Sequence, residues 1–324
     1  MNIALWKKCL SESMLLFIAI AIGIASFAWF RVHVVGEIDT STFQNILEMI
    51  PQDWLKFTSV DVEWLISYVG RTGLALDEPF MVMMVAMWAI VRGSDVVSGE
   101  ISRGTMEMML AQPVSRKQTF VIHTAVTLLG VVVLVLIAWV AMWAAVHMTN
   151  VKIPAESPSV WDSLLLPLSP LLPAGEVEYK YEPMSDYVNA IVYWPGMVNL
   201  CLLGCFIAGL AAMCSAVDRF RWRTLGIVVT IYMVASMIKI LGMSSETFQW
   251  SGWLTFFSLY EPEMSIKMCQ TDPSAFWNLS VRDESGDWQG FGQLAQNLWL
   301  LVGTIAFFVA AYQVFKRRDI PAPL

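Results

Sequence analysis

Charge is scarce in this chain: 15% of its 324 residues are Asp, Glu, Lys or Arg, against 57% hydrophobic, and the mean hydropathy is +0.59. Soluble domains carry roughly 25% charged residues, so a water-facing surface over most of the molecule is excluded. Nucleotide-binding signatures are missing as well. No GxxxxGK[ST] segment occurs, so the chain cannot cradle a triphosphate in the P-loop manner. HExxH, GxSxG and GxGxxG are absent too, which removes common hydrolase and dinucleotide signatures. Histidine is rare, and His33, His123 and His147 fall near the ends of different apolar runs, which argues against a shared metal site. Each is expected to be a polar anchor at the interface. The cysteines, Cys9, Cys201, Cys205, Cys214 and Cys269, are odd in number and lack CxxC spacing, so neither a disulfide framework nor a zinc site is indicated.

What is abundant is long apolar sequence. Runs at about 14–35, 79–97, 119–146, 188–216, 225–243 and 294–315 are each readable as a helix crossing a hydrocarbon core of about 30 Å at about 1.5 Å per residue. The first, preceded by Lys7 and Lys8, has features of a secretory signal, but its length favours a retained span. The second spans only if Arg92 and Asp95 occupy its last turns, pairing at i,i+3 and snorkelling to the surface. The fold class is therefore all-α: one polytopic transmembrane domain, 1–324, with both termini cytoplasmic. Lys7, Lys8, Arg92, Arg103, Arg116, Lys117, Arg219, Arg221, Arg223, Lys316, Arg317 and Arg318 then fall in short inner segments, as the positive-inside rule requires. Most acids fall in the long outer loops, 36–78, 147–187 and 244–293.

Those outer loops have readable pieces. Phe43, Ile46, Leu47 and Ile50 make one apolar helical face that Pro51 ends, and a second short helix is expected over 61–69. Prolines 154, 158, 167, 170, 173 and 183 deny the next loop long helices, which predicts an extended cap. Pro195-Gly196 marks a kink or the true start of the fourth span. The aromatic run 250–260, closed by Glu261-Pro262, is too short to span and too apolar to be solvated, so it is expected to be re-entrant or interfacial. Asp283, Glu284 and Asp287 lack the ordered spacing of a calcium loop and are expected to be a solvated turn.

Within the spans, Cys201, Cys205, Ala208 and Ala212 form a small-residue stripe suited to close helix packing, against this chain or a second copy. Asn199 and Lys239 are the polar side chains at depth and the candidates for a pathway, each with a structural alternative as a helix-to-helix bond or a snorkelling anchor. Arg219-Phe-Arg221-Trp-Arg223 alternates base and aromatic as nucleic-acid patches do, but anionic lipid at an inner membrane edge accounts for it without nucleic acid. It is a candidate second contact for a cytoplasmic partner.

The segment 98–116 stands apart. Ile101, Thr105 and Met108 share a helical face, Arg103 can pair with Glu100 and Glu107, Pro113 ends the helix, and Ser115 with Gln118 forms a capping box before the third span. Glu100-Ile-Ser-Arg-Gly104-Thr105-Met-Glu107-Met-Met-Leu110-Ala-Gln-Pro113-Val-Ser-Arg116 resembles the E-x3-G-T-x-E-x-L-L-x-x-P-V-S-R pattern of ABC-2 type permeases, the membrane subunits of ATP-binding-cassette exporters. The six spans, an amphipathic lead-in at residues 6–10 and a closing Phe315-Lys-Arg-Arg-Asp319 extend the likeness. The resemblance implies a coupling helix seated on a separate cytoplasmic ABC ATPase, with Glu100, Gly104, Thr105, Glu107, Pro113 and Arg116 in coupling. It further implies two permease copies, as a homodimer or with a related permease, in the cytoplasmic (inner) membrane. ATP and magnesium would then belong to the partner ATPase, and no cofactor, metal or catalytic residue to this chain. The alternative is an ATPase-driven membrane scaffold or signalling subunit that acts on an outer partner and moves no cargo.

Overall fold

The computed structural model describes residues 3–49, 62–106, 115–154, 179–244, 246–282 and 288–318. Six stretches are helices long and apolar enough to cross a membrane: Ile3–Glu37, Tyr68–Ser102, Arg116–Met148, Ala190–Val217, Arg221–Ser244 and Gln293–Arg317. The α-helices are α1 (Ile3–Glu37), α2 (Thr40–Met49), α3 (Val62–Ile66), α4 (Tyr68–Gly73), α5 (Pro79–Ser94), α6 (Arg116–Met148), α7 (Trp194–Val217), α8 (Arg221–Ser244), α9 (Pro262–Thr271) and α10 (Gln293–Arg317); α2, α3 and α9 lie between spans. The protein is an all-α polytopic membrane protein.

The helix starts follow local chemistry. Pro79, Pro195 and Pro262 stand in the first turn of α5, α7 and α9, where a missing N–H costs nothing. Pro195 thus marks a helix start, preceded by a 3-10 turn at Ala190–Tyr193, and not a kink. Ser115 and Gln118 form the expected capping box, each backbone N–H bonded to the other's side chain at 3.2 Å.

Between lipid-facing helices there is no hydrophobic driving force, so packing relies on close van der Waals fit. The central helix is α7, packed on α5 and α10, while α1 lies along α6. Over their most apolar windows α7 is 56% buried and α8 only 11%, so α8 sits at the edge of the bundle. The close fit has specific causes. A Cβ at Gly93 of α5 would sit 2.5 Å from Ala211 Cβ and 2.8 Å from Ala208 O, and one at Gly130 of α6 would strike the Trp88 indole at 2.1 Å.

At the far end, Arg71 is 1% exposed and staples the loop helices, donating to Ile38 O at 2.7 Å and Thr40 Oγ1 at 3.1 Å under the Tyr68 ring. The helix expected over 61–69 is two, Val62–Ile66 and Tyr68–Gly73, because Ser67 in extended conformation caps the second; Asp61, like Ile50 and Pro51, lies outside the described residues. Antiparallel β1 (Asn150–Pro154) pairs with β2 (Tyr179–Pro183), and β3 (Ser280–Arg282) with β4 (Trp288–Phe291). Pro158, Pro167, Pro170 and Pro173, and Asp283, Glu284 and Asp287, also lie outside the described residues. The aromatic run after α8 folds as two 3-10 helices, Glu246–Leu254 and Phe256–Leu259.

Candidate functional site

Beyond Ser94 the second span does not continue as an α-helix. Residues Asp95–Gly99 form a π-turn, followed by one helical turn, Glu100–Ser102. The cause is a side chain inserted from α7. Ser215 Oγ accepts the backbone N–H of Val97 at 3.1 Å and of Ser98 at 2.8 Å, and lies 2.8 Å from the Ser94 carbonyl as donor. A hydroxyl placed in the ladder displaces the i→i−4 bonds and widens the turn. Thr224 of α8 reaches the same point, donating to Ser98 Oγ at 3.2 Å.

The helix expected over 98–110 is therefore interrupted. Gly104 takes φ +70 with its N–H on Ile101 O at 3.0 Å, a left-handed stop that helical periodicity alone does not reveal. Thr105 folds back so that its hydroxyl donates to Glu100 O at 3.2 Å and to the Glu100 carboxylate. Met106, 1% exposed, then anchors in a small apolar core with Leu5, Cys9, Phe120 and Phe315.

Glu100 is wholly buried and heavily partnered. Its carboxylate accepts from Lys8 Nζ at 3.0 Å and Arg103 Nη2 at 2.8 Å, with His123 Nε2 at 3.8 Å. One carboxylate therefore joins α1, the loop and α6. Cys9 Sγ lies 3.3 Å from the same His123 Nε2, so thiol and carboxylate compete for one nitrogen while Nδ1 has no hydrogen-bond partner among the described residues. A catalytic relay needs the base to use both nitrogens, and all three groups are 0% exposed. The arrangement is a structural clamp. The expected interfacial role of His123 gives way to a buried one, whereas His33 and His147 are exposed.

Asp95 forms a second hub. Its carboxylate meets Arg92 at 3.5 Å, Arg103 at 3.1 Å and Arg221 at 3.0 Å. The expected pairing of Arg92 with Asp95 is present, but neither snorkels: they are 2% and 5% exposed, enclosed within the bundle. Burial of the Asp95 carboxylate is offset by three guanidinium groups around it, one of them from the start of α8. Arg103 bridges the two hubs.

The second basic segment divides by residue. Arg221 enters the Asp95 hub; Arg223 pairs with Asp218 at 2.5 and 2.7 Å; Arg219 is exposed and contributes its backbone N–H to Asp218. The Arg223 guanidinium first, with the Arg219 and Phe220 amides, holds the Asp218 carboxyl below the usual range. Arg116, at the first turn of α6, donates to Arg318 O at 2.8 Å, and Arg318 in turn donates to Ala216 O and Asp218 O at 2.8 Å each. Both described chain ends thus converge here. Glu107 and Pro113 lie outside the described residues.

The remaining sequence candidates sit elsewhere. Ala208 and Ala212 are buried, facing the close approach of Gly93, while Cys201 and Cys205 are half-buried. Asn199 donates to Leu259 O and Asn297 Oδ1, both at 3.0 Å, and accepts the Glu261 N–H at 3.1 Å, so it ties α7 to the 3-10 segment and to α10. Lys239 donates to Tyr260 O at 2.9 Å. Sequence reasoning missed Lys8, Cys9, His123 and Ser215 as site residues; the only signal was their position beside the loop in the topology. Among the described residues no group of three His, Cys, Asp or Glu side chains could hold a metal ion. Residues 12–320 match the family described as ABC-2 family transporter protein, and no curated protein matches the chain.

Proposed function

This chain belongs to the ABC-2 transporter family and is a membrane permease subunit of an ABC transporter; on that premise we propose that it couples ATP hydrolysis on a separate ATPase to export, through the segment that begins at Glu100. In this reading the end carrying both hubs is cytoplasmic, the ATPase seats on the loop spanning 100–116, and a second copy of the permease completes the pathway across the inner membrane. Glu100, Gly104, Thr105 and Arg116, with Glu107 and Pro113, carry the coupling, and Arg219 offers a second contact.

One observation carries the reading: the base of the loop is clamped by two bridged ionic hubs to α1, α6 and α8 at once. A push on a free loop would be lost in its own bending. Here the Glu100 hub passes displacement to α1 and α6, and the Asp95 hub passes it to α8, so helices move as bodies. The π-turn supplies the compliant joint, since its ladder is already broken at Val97 and Ser98.

Reconstitution with the ATPase in proteoliposomes tests this. ATP-dependent solute or lipid flux that falls in Gly104→Val and Arg221→Ala while ATP binding to the partner persists is the expected result. Failure of the chain to co-purify with any ATPase, or undiminished flux in both variants, overturns it. Hydrolysis without flux of any solute or lipid favours the scaffold alternative.

A further inference from the structure

The opposite end of the bundle holds a cavity of about 890 Å³ between the 3-10 segment, α9, the β3–β4 hairpin and the start of α10. That volume lies in the range of sites for drug-sized molecules, about 300–1,000 Å³. Its walls are aromatic and thioether: Trp250, Trp253 and Trp299 with Phe291, Met264 and Met268. Trp253 packs edge-on to Phe291 at 5.7 Å between centroids, which fixes the plane of one wall.

Among the described residues Glu261 is the only charged one in the lining. Gln296 Nε2 donates to its Oε2 at 3.0 Å, and Gln293 supports Gln296 at 3.4 Å, so the carboxylate is held in place by neutral amides. Its backbone N–H is fixed by Asn199. Among the described residues no cation lies within 4.0 Å of the carboxylate; Lys239 is bound to the Tyr260 carbonyl and acts on Glu261 only from a longer distance. Oε1 accepts no hydrogen bond from them. A carboxylate positioned by amides, walled by indoles and with no cation in direct contact among the described residues suits a cation with an apolar body, since indole faces attract cations within about 6 Å and attract anions not at all.

We propose that this cavity binds a drug-sized amphipathic organic cation, its positive centre on Glu261 and its apolar body against the tryptophan walls. The site goes beyond the coupling reading and does not depend on it: binding requires neither the ATPase nor flux.

The full chain in lipid nanodiscs is titrated with tetraphenylphosphonium and, in parallel, with tetraphenylborate, which has nearly the same size and shape and the opposite charge, following tryptophan emission. Saturable binding of the cation at least about tenfold tighter than that of the anion, weakened about tenfold by Glu261→Gln and by Trp253→Ala, is the expected result. Equal uptake of both ions assigns the cavity to lipid tails and overturns the proposal. So does unchanged cation affinity in Glu261→Gln, and so does cation affinity that falls as protein concentration drives dimerisation, which would make a second copy the occupant. The charge preference is read on the unsubstituted chain, so a misfolded variant does not remove the test.

Discussion

Lys8 and Glu100, 92 residues apart, meet at 3.0 Å with the carboxylate fully buried and the ammonium side chain 30% exposed. The asymmetry decides what substitution does. Removing the lysine strands a charge inside the bundle, whereas neutralising the glutamate leaves cations that can turn to water.

Lys8→Met is therefore expected to destabilise the chain by about 2 kcal/mol, less than a fully stranded charge because Arg103 stays on Glu100. Adding Glu100→Gln should recover part of that loss. Thermal unfolding of single and double variants in one detergent measures the coupling; strictly additive effects would mean the pair carries no energy.

Gly104 and Gly226 both have open space where a Cβ would sit, yet alanine should act oppositely at the two. At Gly104 the φ of +70 imposes a cost of about 1 kcal/mol on any side chain. Gly226 lies inside α8, where alanine gains up to about 1 kcal/mol in helix propensity. Apparent melting temperatures of the two variants should move to opposite sides of the parent.

Gly130→Ala would drive its methyl into the Trp88 indole, which is 1% exposed and tethered through Nε1 to Thr127 O at 3.0 Å. Overpacking of this kind costs about 1–3 kcal/mol. Trp88→Phe in the same chain should restore part of the loss, measured again by unfolding; no rescue would place the clash elsewhere.

Glu263, 4% exposed in α9, has its carboxyl pushed up to about 7 by burial and then by the nearby Asp77 and Glu261, against the pull of Lys239. The unfolded chain ionises it near 4.5, so between those values the folded state holds the extra proton. The contribution to stability is whole below about 4.5 and is lost as pH rises through about 7, on the order of 3 kcal/mol. Glu263→Gln should flatten that slope and exceed the parent in stability at pH 8. A parent whose stability does not fall over this interval would refute the assignment.

The apolar runs and the Ser115–Gln118 box were legible because each is local: a span needs only its own side chains, and a cap needs three neighbours, whereas Pro195 alone left a kink and a helix start both open. The Glu100–Arg103 pair was legible for the same reason, being one helical turn apart. Burial of Arg92 and Asp95 was not, because it depends on Arg221 arriving from another helix. Nor was the His123 clamp, whose partners come from α1 and the second span. The loop helix was misread in part because its apolar periodicity runs through Gly104, and only the backbone angle shows the stop.

The π-turn at Asp95–Gly99 also sets phase. It closes its ring with one residue more than an α-turn, so returning the ladder to ordinary spacing with all its residues kept would swing everything beyond it by about 100° about the helix axis. Glu100 would then face away from Lys8 and His123, and the loop would leave the bundle in another direction. One extra residue, held in place by the hydroxyl of Ser215, aims the whole segment that follows.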